Sequence, residues 1–148
     1  MLAAFPVWGF PRAYASGLLL RYSAAMIRTT LIVLEILIGV GALAGGVNAL
    51  AGAKRIPREW LQGTPFRTYF VPGLVLFVVI GGSMLTAAGL LLGDASVARL
   101  VSLEAGVVLL GWVATQLATI GYRHWLQPLF LVLGLAVVVL SFALPSPG

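Results

Sequence analysis

Read as apolar and polar positions, the chain falls into four long apolar runs separated by short polar stretches. The runs cover about 29–51, 69–93, 97–121 and 126–144. Each is close to the ~20 residues that carry a helix across a bilayer core at ~1.5 Å per residue. Backbone polar groups in lipid must be satisfied within the spanning structure, and these runs are too long for barrel strands. The pattern predicts an all-α, polytopic membrane protein, a bundle of four transmembrane helices.

The polar stretches divide the chain further. Residues 1–27, with two prolines and no basic start, do not read as a signal peptide. They read either as an interfacial segment with Trp8, Arg12, Tyr14 and Arg21 at headgroup level, or as an extension upstream of a start at Met26. Residues 28–148 then form the four-helix domain. Lys54 to Thr68 is the one substantial loop. Gly93-Asp94 predicts a tight turn, with Ser96 capping the third helix, and "GYRHWLQP" leads into the fourth. Arg12, Arg21, Arg28 and Arg99 fall at one end, and Lys54, Arg55, Arg58, Arg67 and Arg123 at the other. So even a division leaves the orientation undetermined by loop charge. Trp60, Trp112, Trp125, Tyr69 and Tyr122 read as residues of the interfacial aromatic belts.

An internal echo bears on the architecture. "FRTYFVPGLVL" from Phe66 and "YRHWLQPLFLV" from Tyr122 share an order of aromatic, arginine, aromatic, proline and apolar run. Convergent anchoring chemistry gives that order, and so does a duplicated helical hairpin with its axis along the membrane normal. In the second case Leu34-Glu35 corresponds to Leu103-Glu104, and Ala51 to Gly63 is a 13-residue insertion in the first hairpin.

Composition excludes several classes. Of 148 residues, 61% are hydrophobic and 9% charged, against about 25% charged in soluble domains. The net charge of +5 comes from basic residues beside the apolar runs, which suits lipid headgroups and not nucleic acid. Without cysteine there is no disulfide, thiolate ligand or redox pair. His124 is the one histidine and Asp94 the one aspartate, and their loops fall at opposite membrane sides. No catalytic triad, metal set or nucleotide-binding glycine loop assembles. The expectation is a non-enzymatic protein without a cofactor or metal.

The polar residues inside the runs are the candidate chemistry. Glu35 follows Arg28 by seven residues, Glu104 follows Val97 by seven, and Thr86 precedes Gly93 by seven. All three thus share a depth of roughly 10 Å from one membrane side. Each also belongs to a stripe of small residues: Glu35, Gly39, Ala42 and Gly46; Gly82, Thr86, Gly89 and Gly93; Glu104, Val108, Gly111, Thr115 and Ala118. Small stripes mark close helix approach. They predict a polar cavity lined by Glu35, Thr86 and Glu104 that binds a proton, a cation or a cationic headgroup. The opposing reading has the two glutamates snorkelling toward Arg28 and Arg99. Asn48 and Gln116 are secondary polar positions, expected to hydrogen-bond between helices.

The order of Arg28, the Gly-rich "VVIGGSMLTAAGLLLGDASVAR" and its Arg99 resembles DoxX-like small membrane proteins. That resemblance implies four helices and an accessory or redox-linked membrane role. Glu35 in the first helix is also similar to the key acid of small multidrug resistance transporters. The leading expectation is a cell-membrane, multi-pass protein that binds a lipophilic small molecule or serves as accessory subunit of a membrane complex. The alternative is a small proton- or cation-coupled transporter exchanging at Glu35. Membrane lipids, a membrane protein subunit and a second copy of the chain are the expected partners, and nucleic acid is not.

Overall fold

A computed structural model describes residues 12–54 and 56–145, with side chains from Ser16 onward. Trp8, Arg55 and the side chains of Arg12 and Tyr14 lie outside the described residues. Four helices account for the four runs: α1 (Arg12–Leu50), α2 (Phe70–Leu92), α3 (Ala98–Ile120) and α4 (Leu126–Ala143). Each contains a stretch long and apolar enough to cross a membrane. Three of them match the sequence pattern to within a residue at each end. The first does not: it starts sixteen positions before Arg28. From Arg12 to Arg28 the sequence carries one glycine and no proline, so nothing interrupts the helix once the proline pair is passed. At ~1.5 Å per residue α1 is about 58 Å long, and Leu18, Leu19 and Leu20 on its extension are exposed.

Tight packing occurs within the hairpins α1–α2 and α3–α4, while α2 against α3 and α1 against α4 close the ring. This places α1 and α3 on one diagonal. The core runs down the middle, from Leu31, Ile38 and Ala42 on α1 to Met84 and Leu91 on α2, Leu109 on α3 and Val137 on α4.

The two hairpins repeat one another. Of the buried positions of α1, Leu31, Glu35, Ile38, Gly39, Ala42 and Gly46 each recur 67 positions on in α3, as Ala98, Ser102, Ala105, Gly106, Leu109 and Val113, while Ala49 has no buried counterpart. Glycine contacts repeat with them. A Cβ on Gly39 would lie 2.8 Å from Leu85 of α2, and one on Gly106 would lie 2.8 Å from Val138 of α4. In return Gly81 abuts Leu43, and Gly134 abuts Leu110. Thus Gly81, Met84 and Ala88 correspond to Gly134, Val137 and Ser141, 53 positions on, whereas the buried pair Gly73 and Gln127 are 54 apart. The slip of one residue falls where α2 makes a π-helical turn, Val75–Gly81, which accommodates one extra residue. Before that turn the two registers differ by 13, the length of the Ala51–Gly63 insertion.

The duplicated-hairpin expectation of a 13-residue difference between the hairpins agrees with these offsets, but its register does not. It aligned the two Leu-Glu pairs, whereas the helices align on Gly39 and Gly106, so that Glu35 corresponds to Ser102 and not to Glu104.

The connections are held by side chains. In the first loop a 3-10 turn (Arg58–Leu61) is tied down by Tyr69, whose hydroxyl donates to the Pro57 carbonyl at 2.6 Å. Burial and then the Glu59 carboxylate push the Tyr69 phenol above its ordinary pKa. Asp94 adopts a left-handed φ of 54° in the α2–α3 turn, a conformation Asp tolerates better than most residues. Ser96 does not cap α3; the N-cap position is Val97, with no side-chain cap bond. At the α3–α4 turn the buried Gln127 accepts from the Arg123 and His124 amides and donates to the Gly121 carbonyl. Gln127→Leu removes three partners of backbone groups at once. It is expected to cost about 1–2 kcal/mol, read as an earlier unfolding midpoint in detergent.

Candidate functional site

Of the three residues expected to share a cavity, the structure places one inside. Glu35 is 0% exposed at the start of the α1 stripe. All four members of that stripe (Glu35, Gly39, Ala42 and Gly46) are buried, as the small-residue pattern predicts. Thr86 and Glu104 are both exposed on the outer surface, so the expected three-residue cavity is not formed. The reason lies in which face each helix buries. On α2 the packed face carries Ile80, Gly81, Met84, Ala87, Ala88 and Leu91, two residues out of phase with the Thr86 stripe and so on the opposite side of the helix. On α3 the stripe through Glu104 is two residues away from the packed one, which is about 200° around a helix. Gly82, Gly89 and Gly111 have nothing within 4 Å of an added Cβ; smallness there does not mark contact within the chain.

The residue missed in the sequence is Ser102. It is 0% exposed on α3, and its hydroxyl faces the Glu35 carboxylate. Neither carboxylate oxygen nor the Ser102 hydroxyl completes a hydrogen bond of normal geometry. Glu35 and Ser102 occupy equivalent positions of the two hairpins, so they meet at the axis that relates them. Aligning the echo on "EILIG" and "SLEAG" would have revealed the pair.

The arginines take other partners. Arg28 pairs with Asp94 and also donates to the Leu91 carbonyl at the end of α2. Arg99 donates from Nε to the Ser141 carbonyl at 3.0 Å, at the end of α4. Each therefore caps the C-terminus of its own hairpin partner, where orphan carbonyls and the helix dipole favour a cation. Among the described residues Glu35 has no counter-charge. Asn48 is exposed and Gln116 half-buried. Trp112, expected in an interfacial belt, is packed against the core at mid-helix, with a buried Nε1 that has no partner. Among the described residues no three metal-ligating side chains come together.

Fold and site together define a class: an all-α, polytopic four-helix bundle of two repeated hairpins, with an acid at their shared axis. No family model, no curated protein and no solved structure matches the chain.

Proposed function

We propose that this is an integral protein of the cell membrane that takes up and releases a proton at Glu35, as the working carboxylate of a small proton-coupled transporter. One observation carries the reading: a wholly buried carboxylate that, among the described residues, pairs with no cation and completes no hydrogen bond of normal geometry. An anion in that position is costly, and intramembrane acids of this kind belong to ion and proton pathways. A proton relieves the cost and needs a single acceptor, which the Ser102 hydroxyl supplies. A metal cation needs a fuller shell of oxygens, and the buried α1 neighbours of Glu35, namely Leu31, Ile38, Gly39 and Ala42, bring no side-chain oxygen. The likeness to DoxX-like proteins enters this proposal as layout alone, through Arg28, Arg99 and the Gly-rich second helix.

The test is infrared titration of the protein in lipid. A protonated carboxylic C=O band that disappears at high pH, and is missing in Glu35→Gln, is the expected result. If the parent and Glu35→Gln give identical spectra throughout, the proposal fails. In proteoliposomes, proton flux by the parent and none by Glu35→Gln extends the reading from binding to transport.

A second reading, as accessory subunit or homo-oligomer, rests on Glu104. It is an exposed carboxylate on a membrane-spanning helix, six residues from the helix start. A membrane partner covering that face removes the cost of leaving it in lipid. The chain has no cysteine, so Gly111→Cys places a single thiol on the same face. Disulfide-linked dimers or a covalent adduct to a partner in native membranes are expected, and a thiol that stays monomeric under oxidation excludes the reading.

A further inference from the structure

Three of the four arginines assigned to the N-terminal end of the bundle line one cleft. Arg21 and Arg28 are seven residues apart on α1, so they project from one face two turns apart. Between them Ala24 and Ala25 keep the wall low. Arg99 closes the opposite side from the first turn of α3, and Asp94 sits in the turn beside it. The cleft is open to the outside, with a volume of about 390 Å³. Among the described residues three guanidinium groups and one carboxylate line it.

Two of the three cations are already fixed. Arg28 is held by Asp94 and the Leu91 carbonyl, and Arg99 by the carbonyls of Ser141 and Phe142. An arginine has five N–H donors in a rigid fork, and the two bonds of Arg28 leave it others. Little side-chain freedom remains to be lost when an anion arrives. Arg21 stands on the α1 extension, beyond the ends of the other helices. The setting is also amphipathic. Leu91 and Leu144 are part of the lining, and exposed Leu18, Leu19, Leu20 and Met26 flank it along α1.

We propose that Arg21, Arg28 and Arg99 form a binding site for a phosphate group, whether the headgroup phosphate of an anionic lipid or a soluble phosphate. Phosphate oxygens accept charge-assisted bonds from several arginine forks at once. The site lies at the end of four apolar spans, where headgroup phosphates are found. It is independent of Glu35, which does not line the cleft.

The full chain is reconstituted in nanodiscs of equal phosphatidylglycerol and phosphatidylcholine and released for native mass spectrometry. Retained phosphatidylglycerol should exceed phosphatidylcholine severalfold. Arg21→Gln, at an exposed position outside the core, should reduce retention about ten-fold, and Arg99→Gln should do likewise. Arg58→Gln, at the other end of the bundle, should leave it unchanged. A parallel arm adds inorganic phosphate to the delipidated protein in neutral detergent. A thermal shift that Arg21→Gln abolishes assigns the site to soluble phosphate; lipid retention without a shift assigns it to the headgroup. Equal retention of the two lipids with no phosphate shift overturns the proposal, as does retention and shift indifferent to both arginine substitutions.

Discussion

Glu35→Met combined with Ser102→Ala is expected to yield a more stable protein that no longer binds a proton. The parent holds three buried polar atoms without partners at this point, the two Glu35 oxygens and the Ser102 hydroxyl. Each such atom costs about 1–3 kcal/mol relative to a satisfied or apolar one. Methionine keeps the unbranched shape and nearly the volume of glutamate, and alanine leaves only a small void in place of the hydroxyl. Replacing buried charged groups by well-packed apolar ones often stabilises by about 1–4 kcal/mol, and that gain should appear as a later midpoint of thermal unfolding in detergent. The titrating infrared band should vanish in the same protein. Gain of stability with loss of proton binding is the pattern of a site kept for function. A double variant that unfolds earlier than the parent would instead make the pair a structural pin.

The second large effect concerns Gly46. A Cβ there would lie 2.7 Å from Phe77 Cβ and 2.9 Å from the Phe77 backbone. Backbone does not move aside as a side-chain tip does, so Gly46→Ala has to push α1 and α2 apart. Overpacking of this kind costs about 1–3 kcal/mol or more. Gly39→Ala is milder, because its neighbour is the tip of Leu85. Gly89→Ala and Gly111→Ala meet open space in outer faces of α2 and α3, and alanine's better helix propensity should stabilise them by up to about 1 kcal/mol. Unfolding midpoints of the four single variants therefore fall in the order Gly46, Gly39, then the two outer positions. A Gly46→Ala protein as stable as Gly111→Ala would mean that α1 and α2 do not approach as described.

Hydrophobic run length determined the helices almost completely, because bilayer thickness and backbone satisfaction leave few alternatives for runs of this kind. It could not place the start of α1, since polarity in the "RAYASGLLLRYSAAMIR" segment ends the apolar run without ending the helix. Which face of each helix packs was legible on α1 and illegible on α2 and α3. In water a helix announces its buried face by hydrophobicity; in lipid both faces are apolar, and only size and polarity remain as signals. On α1 those signals coincide at Glu35, Gly39, Ala42 and Gly46. On α2 the buried face carries Met84 and Leu91, while Thr86 and Gly89 point outward. Ser102 was hidden for a related reason: a serine beside a glutamate two positions on attracts less notice, although the serine is the one inside.

The repeat places half of the polar centre on each hairpin. Membrane helices insert first and associate afterwards, so there is a stage at which α1–α2 stands in the bilayer and α3–α4 has not yet docked. During that stage Glu35 has no Ser102 opposite it and meets lipid, at a cost of a few kcal/mol. Docking of the second hairpin removes that exposure. An incomplete chain thus carries an acid in its membrane-facing surface that the finished chain conceals.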